Sequence, residues 1–341
     1  MTTPTGQISA SDLRNEFGAT SSNGQVSLGS YRVDKNVGEL SELALDDGVP
    51  QSGQISYSNM RGKQLNVVVD LHSGGTTSRK NAKTEYNNKN VTYIGNFYTN
   101  THSNPPTNGE ATKVIIHVNK KIESERGDAN KCALRTGTWA GDANVRVDVG
   151  GEGSIYGAGG NGGAGAGGES DGEAGENGTS ALGVEKSMTV HIRTGGYIQA
   201  GYGGGGGGGG GYDSDKHDDE LGSGGGGGGG AGQPVGQGGA KGDGWEADGE
   251  AGDNGTGTTG GEGGNGGNSD NEGIGGNGGD GGQPGEAAND GGGGTGNNGT
   301  GAGGEGGSDG AAVRRTNSSI SITYTGETDR IKGDTNVNGV G

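Results

Sequence analysis

Two uninterrupted glycine runs, Gly203 to Gly211 and Gly224 to Gly230, flank the stretch Tyr212-Asp213-Ser214-Asp215-Lys216-His217-Asp218-Asp219-Glu220-Leu221. An aromatic ring, an imidazole and a branched aliphatic chain set among carboxylates are the chemistry of recognition, with apolar anchors oriented by polar neighbours. Because the flanking runs carry no side chains, the interruption is expected to be a turn at one end of whatever the glycines build. Tyr202, Val235, Trp245 and Ile274 are the other larger apolar side chains between residues 201 and 312. A lone indole in a region without an oily interior is either an end cap or a binding anchor. Tyr202, Tyr212, His217, Leu221, Trp245 and Ile274 are therefore the candidate contact residues. The plainer alternative is that residues 212–221 form only a solvated turn.

Catalytic and metal chemistry find little support. The 42 acidic residues include no carboxyl singled out for an apolar pocket, as a general acid would be. Matches to Gly-x-Gly-x-x-Gly are abundant, but they lack the strand before and the helix after that phosphate binding requires. No repeated Asp-bearing nonapeptide or Asp-x-Asp-x-Asp-Gly loop argues for calcium. His72, His102, His117, His191 and His217 are scattered, and Cys132 stands alone, which excludes an internal disulfide framework. No enzyme activity, metal or cofactor is expected.

Charge narrows the partners. The net charge is −18, and residues 201–312 hold 18 Asp/Glu against 2 Lys/Arg, so −16 of it lies there. A nucleic-acid groove is excluded by that sign. No apolar run approaches the roughly 18 residues of a membrane span, and the first residues, Met1-Thr2-Thr3-Pro4-Thr5-Gly6, lack the regions of a secretory signal. The expectation is synthesis in the cytoplasm without a signal peptide and no membrane insertion.

The glycines must position the candidate residues. Of 341 residues 90 are glycine, and 54 of these fall between 201 and 312. A flexible linker is the default for such a composition. Against it stands a period of three: Glu262, Asn265, Asn268, Asn271, Ile274, Asn277, Asp280 and Gln283 follow at every third position, with glycine filling most places between. Three residues per turn is the repeat of a polyproline II-type helix, which makes no hydrogen bonds within itself. Two glycine faces per helix allow neighbours close enough for backbone bonds between helices. The two pure glycine runs then belong inside such a slab, and the acidic triplets on its rim.

Around this region the pattern is β. Val67-Val68-Val69-Asp70-Leu71, Val91-Thr92-Tyr93-Ile94 and Val114-Ile115-Ile116-His117-Val118 read as strands. Val145 to Val149 with Gly153-Ser154-Ile155 recurs 43 residues later as Met188 to Ile192 with Gly196-Tyr197-Ile198. A third copy, Ile320 to Tyr324 with Ile331, follows with a one-residue slip. At the head of the chain a nine-residue unit, Gly-Gln-(Ile/Val)-Ser, four variable positions and Arg, occurs three times. Its β-branched residue and a second apolar residue five positions on make a small docking clip. The candidate docking residues are Gln7, Ile8, Leu13, Arg14, Gln25, Val26, Tyr31, Arg32, Gln54, Ile55, Met60 and Arg61. Short capped turns, with Ser9, Ser11, Ser56 and Ser58 as caps, are the alternative.

The expected organisation is 1–63 docking repeats, 64–149 a β-domain, 150–312 the glycine-rich region interrupted by strands at 188–200, and 313–341 a closing strand and tail. The fold class is mainly β with a polyglycine II helix bundle and almost no α-helix.

The stretch Gly153-Ser154-Ile155-Tyr156-Gly157-Ala158-Gly159-Gly160-Asn161-Gly162-Gly163, with Thr179-Ser180-Ala181-Leu182, Val190 and Gly196-Tyr197-Ile198, resembles glycine-rich bacteriophage tail-fibre proteins. These include the polyglycine II sandwich tip adhesins of T-even-like phages, and the three short repeats are similar to segments of tail-fibre proteins. The resemblance implies a virion tail or fibre location, other tail or fibre proteins as partners, a host-surface protein or glycan as receptor, and a possible homo-oligomer. It implies binding through loops displayed on the glycine scaffold. The family's loops are often aromatic-rich, whereas the interruptions here are acidic. A purely structural virion protein is the alternative, and ice binding by a flat glycine face is a third, opposed by Glu262, Asp280 and Glu286 on the rim.

Overall fold

The computed structural model describes residues 3–17, 25–31, 49–50, 53–63, 67–71, 77–78, 80–87, 113–139, 143–214, 219–244, 247–269 and 273–341. The expected strand at Val91–Ile94, together with His72 and His102, lies outside them.

β-branched runs separated by polar turns fold into short strands that stack instead of forming hairpins. Val67–Asp70, Lys113–Val118, Asn144–Val149, Met188–Ile192 and Ile322–Gly326 make one parallel sheet. Thr77–Ser78, Lys121–Glu123, Ser154–Tyr156, Tyr197–Gln199 and Ile331–Lys332 make a second. Lys80–Asn81, Cys132–Arg135, Ser180–Val184, Val313–Arg315 and Thr335–Asn338 make a third. The chain visits the three sheets in turn, so each circuit is one coil of a parallel β-solenoid.

The 43-residue offset is the rise of one coil: Val147 pairs with Val190 and Ile155 with Ile198. The last coil corrects the expected register. Met188 faces Ile322, not Ile320, a shift of two residues that keeps the same side chains inward. Ile320 is still buried, just before the strand begins.

The interior of the solenoid is the apolar core, with Val147, Ile155, Leu182, Val190 and Ile198 all shielded from water. Cys132 is a buried thiol in the third sheet, outside any disulfide. Strand pairing runs across the expected boundaries at 149/150 and 312/313, because residues on both sides of each boundary belong to the same coils.

The amino-terminal units join this core. Leu13 and Met60 are fully buried in the cluster that holds Val69 and Ala82, with Ile8, Val26, Leu28 and Ile55 packed against it. The first and third units turn the chain at a capped helix start. Ser9 precedes the helix Ala10–Phe17 and its N–H donates to Asp12 Oδ2 at 2.7 Å. Ser56 repeats the arrangement with Asn59 Oδ1 at 2.8 Å, before the 3-10 turn Tyr57–Met60. The exposed Asp12 carboxyl is held below its usual range by those Ser9 hydrogen bonds. A second helix, Ala82–Asn87, follows the first coil.

The glycine region is inserted in the third and fourth coils at one place, between the second and third sheets. Its chain forms ten extended segments: 157–168, 170–179, 201–211, 222–232, 234–244, 247–257, 259–269, 273–283, 286–296 and 299–310. They hydrogen-bond to one another every third residue, as in Gly160 N to Tyr202 O, Gly163 N to Gly205 O and Ala166 N to Gly208 O, at 2.9 to 3.0 Å. This is the repeat expected of polyproline II-type helices.

Segment 201–211 bonds to 157–168, 170–179, 222–232, 273–283, 286–296 and 299–310. Segment 222–232 bonds to 157–168, 201–211, 234–244, 247–257, 259–269 and 273–283. Six neighbours leave no room for side chains, so the two interior positions fall on the two pure glycine runs. A Cβ on Gly207 would stand 2.0 Å from Ala164 O, and one on Gly227 2.1 Å from Gly205 O. Outer segments have one free face, and their Asn and Asp side chains close the seams between them. Asn161 Oδ1 accepts from Gln237 N at 3.0 Å, Asn277 from Gly266 N at 2.9 Å, and Asp280 from Gly263 N at 2.9 Å.

Candidate functional site

The slab has a solenoid end and a far end. At the first, Gln199 is buried in the second sheet and donates to Gly257 O at 2.6 Å, while Gln233 N donates to Gly157 O at 2.8 Å. The turns 232–235, 257–259 and 283–286 lie there. The far end collects the reversals at 168–170, 211–222, 244–247, 269–273 and 296–299.

The interruption between the glycine runs is an antiparallel hairpin at the far end, with Gly211–Ser214 paired to Asp219–Gly222 and Tyr212 opposite Leu221. Strand alternation places Tyr212 and Ser214 half-exposed and turns Asp213 inward, 4% exposed. Ile274, in the short strand Gly273–Ile274, packs beside both hairpin strands and bridges to Thr295. Leu221 reaches toward Gly168, whose φ of +59° makes the reversal there and whose missing Cβ would lie 3.6 Å from Leu221 Cδ2. Tyr212, Leu221 and Ile274, each half-buried, thus lie together on adjacent strands at the far end of the slab.

The hairpin is clamped from the neighbouring turn. Asn297 donates its side-chain amide to Asp213 Oδ2 at 2.7 Å and its backbone N–H to the same oxygen at 3.3 Å. Asn298 Nδ2 donates to Ser214 O at 3.0 Å and also contacts Ser214 Oγ. Sequence reasoning missed Asp213, Asn297 and Asn298. The available signal was Gly296-Asn297-Asn298-Gly299, where two adjacent asparagines break the one-in-three frame. Nearby, Lys241 pairs with Asp248; hydrogen bonding from Lys241 holds the exposed Asp248 carboxyl below its usual range, and the same bond raises Lys241.

The remaining candidates separate. Tyr202 is corrected as a contact residue: it is 3% exposed at the solenoid end, packed with Ala200 and Ala231, and burial pushes its phenol well above the usual range. Its position on the second residue of an interior segment leaves it no route to the surface. His217 and Trp245 lie outside the described residues. No group of three or more metal-ligating side chains occurs among the described residues, and no described helix is long and apolar enough to cross a membrane.

Among the docking candidates, Leu13 and Met60 are corrected, since burial in this chain's own core leaves no surface for a partner. Ile8, Val26 and Ile55 are half-buried against the same core. Gln7, Arg14, Gln25, Gln54 and Arg61 are exposed. Tyr31 ends the 3-10 turn Leu28–Tyr31, and Arg32 lies outside the described residues. Arg14, Gln25 and Val26 are brought together with Ala10 and Ser11 around a shallow cavity of about 350 Å³ between the first two units.

A family model described as "Phage tail fibre adhesin Gp38" matches residues 77–336, three quarters of the chain. Among solved structures, the gp37-gp38 adhesin tip complex of the bacteriophage S16 long tail fiber is similar over 97% of this chain and 97% of that one, at 17% identity and a TM-score of 0.38. No curated protein matches.

Proposed function

We propose how this chain, which belongs to the phage tail fibre adhesin Gp38 family, engages the host: through the far end of the glycine slab, with the 211–222 hairpin and the Ile274 strand as the contact surface. The chain is a receptor-binding component of a phage tail fibre. The observation that carries the finer reading is the clustering of Tyr212, Leu221 and Ile274 at the far end, in a slab with almost no other large apolar side chains. A scaffold fixed by backbone bonds holds these loops in place, which lowers the ordering cost of binding.

The hairpin stretch 212–221 carries five acidic residues and one lysine. Such a surface disfavours a strongly anionic glycan and suits a protein loop bearing Lys or Arg, or an uncharged sugar. The mode of action is binding, and no catalytic step is assigned. The exposed Gln7, Arg14, Gln25, Gln54 and Arg61, with the cavity between the first two units, are proposed to dock another tail-fibre protein.

The test is adsorption of purified protein to host cells, with competition against phage infection. Tyr212→Ala and Leu221→Ser are expected to lose about tenfold or more in adsorption, the loss of an interface anchor being worth about 1 to 2 kcal/mol or more. Their thermal unfolding should stay at the parent value. Unchanged adsorption in both would remove the hairpin from the contact surface.

A further inference from the structure

We infer that Asn297 and Asn298 are the positioning residues of the contact hairpin, holding it in its binding orientation through side-chain amide N–H groups. The inference rests on the hairpin reading above and adds which residues set its geometry. It comes from a difference in hydrogen-bond sense. Asn161, Asn177, Asn254 and Asn277 use Oδ1 to accept a neighbouring segment's N–H, at 2.8 to 3.0 Å. Aspartates do the same job elsewhere: Asp171, Asp280 and Asp290 accept from Ala302, Gly263 and Gly306 N–H. At those seams a carboxylate and an amide are interchangeable, since only an acceptor is needed.

At the hairpin the requirement is reversed. Asp213 Oδ2 and Ser214 O are acceptors, and Asn297 and Asn298 meet them with Nδ2–H. Asn265 also donates, but to Glu250 on the exposed flank, away from the far-end turns. An aspartate at 297 would put a second carboxylate against one that is almost wholly buried, and an aspartate at 298 would face a carbonyl with no proton to share. Like charges in contact repel, and an acceptor that meets a second acceptor in place of its donor loses its hydrogen bond.

The experiment compares Asn297→Asp and Asn298→Asp with Asn277→Asp, which makes the same charge change at an acceptor site. Adsorption to host cells and amide hydrogen exchange across 211–222 are measured on the full chain. Asn297→Asp is expected to adsorb about tenfold more weakly and to exchange its hairpin amides about tenfold faster, the loss of a charge-assisted bond being worth roughly that factor. Lowering the pH to about 4 should recover part of its adsorption, because one of two touching carboxylates then takes up a proton and donates it to the other. Asn298→Asp should be weakened less, with smaller acid recovery, and Asn277→Asp should stay within about twofold of the parent.

Asn297→Asp adsorption and hairpin exchange both within about twofold of the parent would overturn the inference. So would equal weakening by Asn277→Asp, which would reduce the effect to net charge. Tyr212→Ala and Leu221→Ser, measured alongside, separate the two ideas. If they adsorb normally, the hairpin is not the contact surface, and the positioning role is decided by exchange alone: faster in Asn297→Asp it stands, unchanged it falls.

Discussion

In the solenoid, Val147, Ile155 and Leu182 are taken out of water, and the backbone pairs because inward-facing side chains fix the register. In the slab, Gly207 and Gly227 have nothing to take out of water, and the backbone pairs because nothing stands between one segment and the next. Both are stacks of extended segments built on one chain, and the slab's chain leaves and rejoins solenoid strands at Gly157, Thr179, Gly201 and Ala312. The contrast shows that a solid protein interior needs close approach and satisfied polar groups more than it needs oil. Apolar side chains achieve this in one half and their absence achieves it in the other. It also shows why the slab needs the solenoid. A glycine loses more freedom than any other residue on ordering, and net backbone bonds of about 0.5 to 1.5 kcal/mol only roughly offset a cost of about 1 to 2 kcal/mol per residue. Segments anchored at Gly157, Thr179, Gly201 and Ala312 on finished strands have their ends already fixed.

The two halves should therefore break in opposite ways. The largest effect is expected from the smallest substitution. Gly207→Ala or Gly227→Ala drives a methyl into a neighbouring carbonyl that cannot rotate away, and either should destabilise the slab by more than about 3 kcal/mol. Thermal unfolding followed by amide exchange over 201–312 would register it. Gly293→Ala, on the rim with only Gly301 O at 3.5 Å, should be nearly silent, and a large loss there would mean that glycine content itself, not contact, holds the slab.

Truncation reverses the ranking. Ile155→Ala in the solenoid should cost about 2 to 5 kcal/mol through lost burial and the cavity left behind, read as a lower melting temperature; the pure glycine runs of the slab have no side chain whose removal could match it.

Acid should act on the solenoid through Asp148. Burial pushes its carboxyl up, but the hydrogen bonds from His117 and Arg193 and the charges of Arg193 and Arg146 outweigh burial and leave it below its ordinary value of 3.8. His117 Nδ1 lies 3.4 Å and Arg193 Nε 2.7 Å from Asp148 Oδ1. A carboxyl lowered in the folded state contributes stability above the ordinary value, and that contribution is lost as pH falls through the lowered one. Melting temperature should thus drop at acid pH in the parent, and Asp148→Asn should start lower and lose less. A parallel drop in both would assign the acid sensitivity elsewhere.

The smallest effect is expected where the two halves meet. The buried Tyr202 hydroxyl has no hydrogen-bond partner among the described residues, so Tyr202→Phe should change stability by less than about 1 kcal/mol and in the stabilising direction. Calorimetric melting would show a clear loss if the hydroxyl held the joint.

The period of three, the two pure glycine runs and the 43-residue offset were all legible in the residues, because each is a repeat whose physical unit is local. The hairpin at 212–221 was legible for the same reason, as an interruption of a repeat. The clamp on it was not, since Asn297 lies 84 positions from Asp213 and an asparagine that donates looks, in a sequence, like one that accepts. Nor did periodicity reveal that Leu13 and Met60 are spent on this chain's own core, because an apolar residue spaced for docking is equally spaced for burial.

Residue order alone thus settled what kinds of contact each half can make: β-branched alternation demands a side-chain interior, and glycine at two of every three places permits only a backbone one. Which segments became neighbours was left to the fold. Hydrogen bonds between glycine segments carry no side-chain identity, so the arrangement of ten near-identical pieces depends on where the solenoid releases and receives the chain. That arrangement alone brings residues 213, 274 and 297 to one end and buries residue 202 at the other.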